Sequence, residues 1–593
     1  MADIRSSNTA EASPDSLSTA LAGVGEVMAD PGSVHPDLAL ATSLDRDSPT
    51  SKEKKLDDAA GVDGTWEISE SQTAKTYEDD KFGFWQAAAI NTLNMFGTGP
   101  FITVPFLFAA TAPAGPQALI GYAMAAFVCT FDSMIWGELS SMMPYSGGTY
   151  IYLREAYGKD KIGRFMAFQF IFQFLISAPI EIASGYIAMA QYLAYITGIT
   201  NWVYNSLIGC GFCVLSILVL YQDLSFVGKM TIALWVGTVG AIVFCICAGY
   251  AHFDPSLLAA PPGWNSPAAL PGFIYSLGTA MRIGIYDFAG YYDACQMGDE
   301  VKNPRRVIPR ATVGTCGFLV FVFFAVVLAI AGVVPWYGPD GFVEKVLSGH
   351  KSANYVMSTF CEILFGRPFA IFFTIVVVYT IFGSCFALLL GYAFIPYSAA
   401  RDRYFYAWFG HEHATKKGLA DYSLLVLGAI SCVLCFVDLG ILIEGMLTTR
   451  LIIQFMAQAV GVMILRKKAP NAIRVFKTPL YPLPIIINLI GFTFVFGTTS
   501  NYLISGNTPL LEIGILIMIV GAVLYFPFAK VNGFWPFEKS ATTSEGSCET
   551  EMITHTTGEG SMRPAKKKDG AEQDAKIDKP ADEATHSPHI SAL

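Results

Sequence analysis

The chain has 593 residues, of which 53% are hydrophobic and only 15% are charged, and its formal net charge at pH 7 is −10. This composition is too apolar for an ordinary soluble protein of such length and gives no indication of a nucleic-acid-binding protein. We therefore expect an all-α membrane protein whose chain crosses the bilayer many times.

The two ends of the chain differ from its apolar middle. Residues 1–80 are rich in Ser, Asp, Ala and Pro and cannot bury enough apolar surface to fold alone, so we expect a disordered tail. No apolar stretch typical of a secretory signal is found there. Residues 531–593 are polar again and are expected to form a second disordered tail. The membrane domain is therefore predicted to cover residues 81–530.

Apolar runs between the two tails give the number of predicted spans. A membrane-spanning helix needs about 20 apolar residues. Twelve runs of about that length follow one another, at roughly 83–110, 117–143, 165–196, 203–221, 227–250, 272–297, 312–335, 368–398, 421–437, 447–465, 481–503 and 510–529. An even number of spans places both tails on the same side of the membrane.

Basic residues are concentrated in the loops on one side of these spans. That side contains Arg154, Lys159, Lys161, Arg164, Lys229, Lys302, Arg305, Arg306, Arg310, Arg401, Arg403, Lys416, Lys417, Arg466, Lys467, Lys468, Arg474 and Lys477, whereas the opposite loops offer Lys345, Lys351 and Arg367. Lys and Arg collect on the cytoplasmic side of membrane proteins. We therefore expect both termini to be cytoplasmic, and we expect the protein to lie in the plasma membrane.

The first span is interrupted by Gly97-Thr98-Gly99-Pro100-Phe101. Each glycine lowers helix propensity by about 1 kcal/mol, and proline removes a backbone donor and clashes with the preceding turn. Lipid cannot satisfy the backbone groups freed by such a break, so it is tolerated only inside the protein or beside a polar cavity. In secondary transporters, broken helices of this kind form the substrate site.

A second interruption is predicted five spans later, within Ile283–Gly290 of span 6, where glycines and Asp287 disturb an apolar segment. Repeats of five spans enter the membrane from opposite sides, so spans 1–5 and 6–10 can form an inverted repeat whose broken helices face each other. The sequence therefore predicts a 5+5 inverted repeat with two accessory helices, spans 11 and 12.

Four motifs resemble those of the amino acid, polyamine and organocation (APC) superfamily. Residues 298–311 are similar to its E-x-x-N-P-x-x-x-x-P-x-A signature after span 6. Residues 97–105 resemble its G-S-G-I-F-x-x-P break, residues 138–150 its E-L-x-x-x-x-P-x-x-G-G-x-Y motif, and residues 476–482 its F-x-x-P-L-Y-P motif. The resemblance covers about residues 82–530 and implies a fold of the leucine-transporter type.

The resemblance also implies a substrate site between the two breaks. Backbone amides and the hydroxyl around Gly97, Thr98 and Gly99 would bind a substrate carboxylate, and carbonyls near Tyr286, Asp287 and Phe288 would bind its amine. Helix N-termini attract anions and helix C-termini attract cations, which agrees with this assignment.

Two departures from the family pattern leave room for a polyamine without a carboxylate. Pro100 deletes one backbone donor, and the acid that usually follows the span 6 break is displaced to Asp293. Of the aromatic residues near this break, we expect Phe288 to form a wall or gate of the site.

Several ionisable residues fall within predicted spans, where a charge costs about 2.5–3.5 kcal/mol and needs a partner or a function. Glu138 and Asp293 are interpreted as gate or loop-anchoring groups paired with Arg305 or Arg306. Asp132 is either a hydrogen-bonded packing residue or a proton-coupling site. Glu181 and Asp287 are predicted to bind cationic groups of the substrate, unless Arg282 neutralises one of them in a fixed internal pair.

Metal and cofactor sites are not expected. His411 and His413 lack ligands at suitable spacing and are interpreted as parts of a solvated loop. Cys210, Cys213, Cys245, Cys247, Cys316, Cys385, Cys432 and Cys435 lie in apolar runs and are interpreted as small core side chains. On span 8, Ser384 is followed by Cys385 rather than by a second hydroxyl, with Thr380 one turn away, so we expect coupling to protons rather than to sodium.

The function predicted from the sequence is secondary active transport of amino acids, polyamines or related organic cations by alternating access, coupled to an ion or to exchange. The expected partners are this small-molecule substrate and membrane lipid. An alternative is a nutrient sensor that keeps the same binding site without transporting. A membrane-embedded enzyme would need a nucleophile with a base or a His–acid constellation at one membrane face, and the sequence contains none.

Overall fold

The computed structural model describes residues 81–159, 162–199, 201–222, 224–338, 341–411, 413, 420–498, 510–533 and 537. The predicted N-terminal tail and nearly all of the C-terminal tail lie outside these residues. The described part of the chain is helical apart from one isolated β-bridge between Phe82 and Val301.

The helices follow one another along the chain with short connections. In order they are α1 (Phe84–Thr98), α2 (Pro100–Ala109), α3 (Leu119–Met142), α4 (Thr149–Tyr157), α5 (Ile162–Thr197), α6 (Trp202–Leu220), α7 (Leu224–Ala251), α8 (Leu270–Phe288), α9 (Pro304–Ala331), α10 (Phe342–Leu347), α11 (Val356–Phe365), α12 (Arg367–Arg401), α13 (Asp421–Leu434), α14 (Leu439–Arg450), α15 (Gln458–Lys468), α16 (Leu483–Gly497) and α17 (Leu510–Val531). A π-helical turn, Leu451–Ala457, joins α14 to α15.

Eight helical segments of the described chain are long and apolar enough to cross a membrane, with α1 and α2 together forming one of them. The pair α14 and α15, bent by 44°, provides a ninth. Helices also occupy the other three predicted positions, but α8 is less apolar, and α13 and α16 contain only 14 and 15 residues. The all-helical membrane architecture is confirmed, and the number of twelve spans stays a prediction.

The first break is narrower than the sequence predicts. Helix α1 continues through Gly97 and Thr98, and Gly99 alone leaves the helical conformation, with a ψ of −121°. Pro100 is the first residue of α2, a position where its missing N–H removes no helical hydrogen bond. Two helix ends therefore meet at one residue in the interior of the protein.

The second break begins near the end of the predicted segment Ile283–Gly290, because α8 is regular to Phe288 and the chain leaves the helix only at Ala289. The chain turns at Ala289–Tyr292, and a 3-10 helix, Asp293–Glu300, replaces the predicted continuation of the span. Gly290 has a φ of +112°, and an added Cβ would lie 2.6 Å from the Asn94 amide nitrogen. Glycine therefore permits both the turn and the close approach of α1.

The sequence motifs have local physical roles near this turn. Asn303 adopts the left-handed conformation, with a φ of 47°, and Pro304 begins α9, so the N-P pair turns the chain into a new helix. Gly147 and Gly148 also have positive φ, and their Cβ atoms would lie 2.0 Å from the Tyr150 ring and 2.4 Å from the Gln296 side chain. These glycines let the segment after α3 pack against the 3-10 helix.

Glu138 connects the end of α3 to two later parts of the chain. Its side chain is buried and accepts hydrogen bonds from Arg466 Nε at 2.8 Å and Arg466 Nη2 at 2.6 Å. The backbone N–H of Thr478 donates to it over 2.9 Å, and Arg474 Nε lies 3.3 Å away. Glu138 is a loop-anchoring group as expected, but the partner expected in Arg305 or Arg306 is wrong.

This anchor predicts a stability defect. Glu138→Gln removes the charge that two arginines share, and a hydrogen bond to a charged group contributes about 1.5–3 kcal/mol. We expect the free energy of unfolding to fall by about that amount, measured as a lower melting temperature of the purified protein. Glu344→Gln, at an exposed carboxylate of α10, is the matched control. Equal melting temperatures for the two variants would contradict the anchor.

Candidate functional site

The two breaks come together at Gly99 and Asp287. An added Cβ on Gly99 would lie 3.7 Å from both Cβ and Cγ of Asp287. The Thr103 hydroxyl, on the first turns of α2, donates to Oδ2 of Asp287 over 2.8 Å, and the Tyr122 hydroxyl of α3 donates to the same oxygen over 3.1 Å. Helices α2, α3 and α8 therefore place this carboxylate directly beside the helix break.

The other carboxylate oxygen of Asp287 is buried and has no hydrogen-bond donor among the described residues. Its side chain is only 1% exposed, and Oδ1 makes no hydrogen bond within the described part of the protein. A buried carboxylate oxygen without a donor is costly, and a substrate ammonium would satisfy it. Asp287 lies in the last turn of a regular helix, and its role as an amine-binding group stays a prediction.

Aromatic side chains enclose this carboxylate. Phe288 is fully buried, stacks on Phe323 with ring centroids 5.3 Å apart, and packs against Tyr122 at 5.0 Å. The Tyr286 hydroxyl exchanges a hydrogen bond of 2.8 Å with Ser184 of α5. Phe288 is thus placed as a wall of the site, and Tyr286 connects α8 to the helix that carries Glu181.

Glu181 is neutralised by a residue that the sequence analysis missed. Arg450, the last residue of α14 and fully buried, donates from Nη1 to Oε2 of Glu181 over 2.7 Å. The Tyr392 hydroxyl donates to the same oxygen over 2.7 Å, and Arg450 Nε donates to Ser177 over 2.9 Å. The pairing of Glu181 with Arg282 is therefore wrong, and Glu181 has no uncompensated charge for a substrate.

A single arginine within the apolar run 447–465 was the sequence signal for this pair, since an intramembrane charge always needs an explanation. Its guanidinium also lies over the rings of Phe174 and Tyr392, at 5.4 and 5.2 Å from their centroids. Arg450 is placed at the start of the π-helical turn, where the bend between α14 and α15 directs it toward α5.

Two asparagines of α1 hold the turn after α8. Asn91 donates to the Tyr291 carbonyl over 2.8 Å and accepts from the Ala294 N–H over 2.9 Å. Asn94 donates to Oδ2 of Asp293 over 2.6 Å, so Asp293 is bound by an amide and not by Arg305 or Arg306 as expected. Asn-x-x-Asn within the apolar first span was the signal that sequence reasoning passed over.

Asp132 bridges three parts of the chain. It is 1% exposed, accepts a hydrogen bond from the Tyr291 hydroxyl at Oδ2, and accepts another from the Asn488 amide at Oδ1 over 2.6 Å. Both donors are neutral. The geometry agrees with a hydrogen-bonded packing residue, and proton coupling at Asp132 stays a prediction.

The remaining predicted polar groups lie away from the breaks. Glu138 belongs to the anchor at the end of α3, and His411 Nδ1 lies 2.8 Å from Asp421 and stacks on Tyr422. Gly97 and Thr98, in contrast, lie beside the first break in the last turn of α1, and the structure describes only their backbone.

The part of the chain that contains this site is similar to known proteins. Residues 82–529 match the amino acid permease family. The chain belongs to that family, within the APC superfamily. The match includes both breaks, the four motifs and every helix from α1 to nearly the end of α17.

Several bacterial transporters are similar to this permease over most of their length. A branched-chain amino acid permease of Lactococcus lactis is 22% identical over 70% of this chain and 88% of its own. A serine/threonine exchanger of Bacillus subtilis is 21% identical over 74% of this chain and 94% of its own. A glutamate/serine transporter of the same organism is 23% identical over 75% and 82%. These three transporters are named for different amino acids, and each is only 21–23% identical to this chain.

The buried ion pair gives a testable prediction. Arg450→Met leaves the carboxylate of Glu181 buried and uncompensated, and breaking a buried pair in this way costs about 3–5 kcal/mol. We expect a large loss of melting temperature, most of which is recovered in the double variant Glu181→Gln/Arg450→Met. Arg310→Met, at an exposed arginine of α9, is the control and should melt as the wild type does. A double variant no more stable than Arg450→Met would refute the pair.

Proposed function

We propose that this permease is a secondary active transporter of amino acids that works by alternating access. The observation that carries the proposal is Asp287, a buried carboxylate with one open oxygen beside the break at Gly99. An ammonium group bound there would contact α8 directly, and the adjoining ends of α1 and α2 would contact the rest of the substrate.

The charge balance favours substrates with one ammonium group over polyamines. The prediction of a dicationic substrate depends on two free acids near the breaks, but Arg450 neutralises Glu181. Asp287 then supplies one negative charge at the site. The similar transporters include a branched-chain amino acid permease and a serine/threonine exchanger, which supports an amino acid as the substrate.

The carboxylate of such a substrate would bind at the N-terminus of α2. Backbone N–H groups at a helix N-terminus attract anions. Gly97, Thr98 and Gly99 border this point, and Gly99 lets a ligand approach the backbone closely. Pro100 supplies no N–H, so we expect the donors to come from the residues around it.

The burial of the proposed site supports alternating access. Tyr286, Asp287 and Phe288 are at most 5% exposed, so a substrate reaches them only when helices move. We propose that the moving parts belong to a five-plus-five inverted repeat with α16 and α17 as accessory helices, with both termini in the cytoplasm and the protein in the plasma membrane.

We also propose that protons, and not sodium ions, drive transport. The Ser384 hydroxyl, a candidate sodium ligand, donates to the Asn94 carbonyl over 3.2 Å, and Thr380 donates to the carbonyl one turn earlier. Asp132, Asp287 and Asp293 are buried carboxylates with neutral hydrogen-bond donors, and because Asp287 is assigned to the substrate, Asp132 and Asp293 are the candidates to carry a proton.

The experiment that tests the function is uptake by the purified protein in liposomes. A panel of labelled amino acids and polyamines is offered under an inward proton gradient, an inward sodium gradient, or with unlabelled amino acid inside the vesicles. We expect amino acid uptake that the proton gradient increases. Uptake of none of these compounds, together with binding of an amino acid, would instead favour a sensor.

The role of Asp287 predicts a change in selectivity. Asp287→Asn removes the charge that pairs with the ammonium group, so affinity for the best amino acid should fall about tenfold or more, since about 1.4 kcal/mol corresponds to one decade. Affinity for its 2-hydroxy acid analogue, which lacks the ammonium, should change far less. Competition against labelled amino acid measures both.

Asp293→Asn is the matched control for this prediction. Asp293 is also buried with one oxygen that makes no hydrogen bond within the described residues, but its other oxygen is bound by Asn94 and not by Thr103 and Tyr122, which bind Asp287. Its variant should keep the ratio of the two affinities. Equal loss for amino acid and hydroxy acid in Asp287→Asn would show that Asp287 does not select the amine.

The break at Gly99 predicts a steric effect. A Cβ there would be tight against the Met95 carbonyl, at 3.1 Å, and 3.7 Å from Asp287, so alanine requires only a small shift, but a longer side chain would cover the carboxylate oxygen that has no donor. We expect Gly99→Leu to abolish uptake while the protein still reaches the membrane, and Gly99→Ala to keep measurable uptake. Normal uptake by Gly99→Leu would mean that the break is only a kink.

A further inference from the structure

Two Cys-x-x-Cys pairs face each other outside the proposed substrate site. Cys210 and Cys213 lie on α6, and Cys432 lies on α13 with Cys435 directly after its last residue. Residues three apart lie on the same face of a helix. Each helix therefore presents two thiols on one face, and the two helices pack together.

The contacts of the four thiols bring them into one cluster. The two thiols of α6 both reach the backbone of α13 beside the second pair of cysteines. Cys210 donates to the Cys432 carbonyl over 3.3 Å, and Cys213 donates to the Gly428 carbonyl over 3.5 Å. Cys213 thus lies near the earlier part of α13 and Cys210 near its end, which is the register of antiparallel helices.

Glycines let these two helices approach closely. A Cβ added to Gly428 of α13 would lie 2.4 Å from the Ile217 side chain of α6. A Cβ added to Gly209 of α6 would lie 3.3 Å from the Tyr186 carbonyl of α5 and 3.4 Å from Cys435 Sγ. A disulfide requires such closeness, because its Cβ atoms are only about 3.5–4.5 Å apart.

We propose that this cluster is a thiol–disulfide site, in which a peroxide oxidises Cys213 and Cys432 to a disulfide that joins α6 to α13. Cys432 is half-buried and Cys213 is buried, so the peroxide meets Cys432 first. The Cys432 sulfur attacks one peroxide oxygen, the O–O bond breaks, and a sulfenic acid and water result. Cys213 then attacks that sulfur, the S–O bond breaks, and a second water leaves. Two thiols are oxidised and one peroxide is reduced.

Metal binding is the alternative function of four clustered thiols. Tetrahedral thiolate sites require four sulfur atoms that converge on one point. Within the described residues, no group of three or more His, Cys, Asp or Glu side chains has the arrangement to hold a metal ion. The cluster is instead extended along the interface, with Cys213 opposite Cys432 and Cys210 opposite Cys435, which favours pairwise bonding.

The disulfide would act on helices that border the buried ion pair. Helices α6 and α13 both pack on α5, which carries Glu181, and α13 also packs on α12, which carries Tyr392. A covalent bond between α6 and α13 would fix their separation on the outer side of α5. The oxidation state of Cys213 and Cys432 would therefore control how far these helices can move relative to each other.

A cleavage assay on the full-length protein tests the proposal without relying on transport. A protease site inserted after the exposed Gly349 separates the cysteines of α6 from those of α13. The protein in liposomes is treated with hydrogen peroxide, blocked with N-ethylmaleimide, cleaved, and run on a denaturing gel without reductant. We expect most of the oxidised chain to keep the mobility of the uncut protein and to separate into two fragments with dithiothreitol.

Serine variants identify the bond. The cross-link should be lost in Cys213→Ser and in Cys432→Ser, and it should persist in Cys245→Ser, a buried thiol of α7 that serves as the matched control. Separate fragments after peroxide treatment of the wild type, or a cross-link that persists in Cys432→Ser, would overturn the proposal. One zinc or copper ion per purified chain that is lost in Cys432→Ser would overturn it in favour of a metal site.

Discussion

A carboxylate inside an apolar bundle needs a donor or a cation, and this constraint organises the described helices. Lipid and apolar side chains cannot solvate the charge, so Asp132, Glu138 and Glu181 each pair with a residue from a distant part of the chain. Glu138 of α3 takes Arg466 of α15, and Glu181 of α5 takes Arg450 of α14. Asp132 takes an amide from α16.

These pairs determine where the helices meet. The Arg450 pair joins α5, α12 and α14 through Glu181 and Tyr392, and the amides of Asn91 and Asn94 join α1 to the turn after α8. Of the helices so joined, α1 and α14 pack on α8, which carries Asp287, and the second oxygen of Asp287 makes no hydrogen bond within the described residues. The same constraint that fixes the bundle therefore indicates where a ligand charge would be bound.

Much of this arrangement could be predicted from local sequence patterns. Apolar run length predicts helices, Gly and Pro in the first span predict the break at Gly99, and the superfamily motifs predict the family. The residue at which the second break begins could not be predicted, because Gly284 is tolerated within α8, where packing outweighs helix propensity. Only Gly290, at positive φ, lies in the turn.

The partners of the buried acids also could not be predicted from the sequence. Arg305 and Arg306 lie 167 and 168 positions from Glu138, and Arg282 lies 101 positions from Glu181, so the expected pairs rested on predicted depth in the membrane, which does not show which side chains meet across a bundle. Arg466 and Arg450 are more than 200 positions away from the acids that they pair with. With one sequence, such pairs can be recognised only as an unexplained arginine within or beside a span.

The central claim is that Asp287 binds the ammonium group of the substrate while Glu181 stays paired with Arg450. The most direct measurement is an experimental structure of the protein with its best amino acid bound. The account predicts the ammonium nitrogen at hydrogen-bonding distance, about 2.7–3.2 Å, from Asp287 Oδ1, with the Arg450–Glu181 contact intact. An ammonium nitrogen bound to Glu181, with Arg450 displaced, would contradict it.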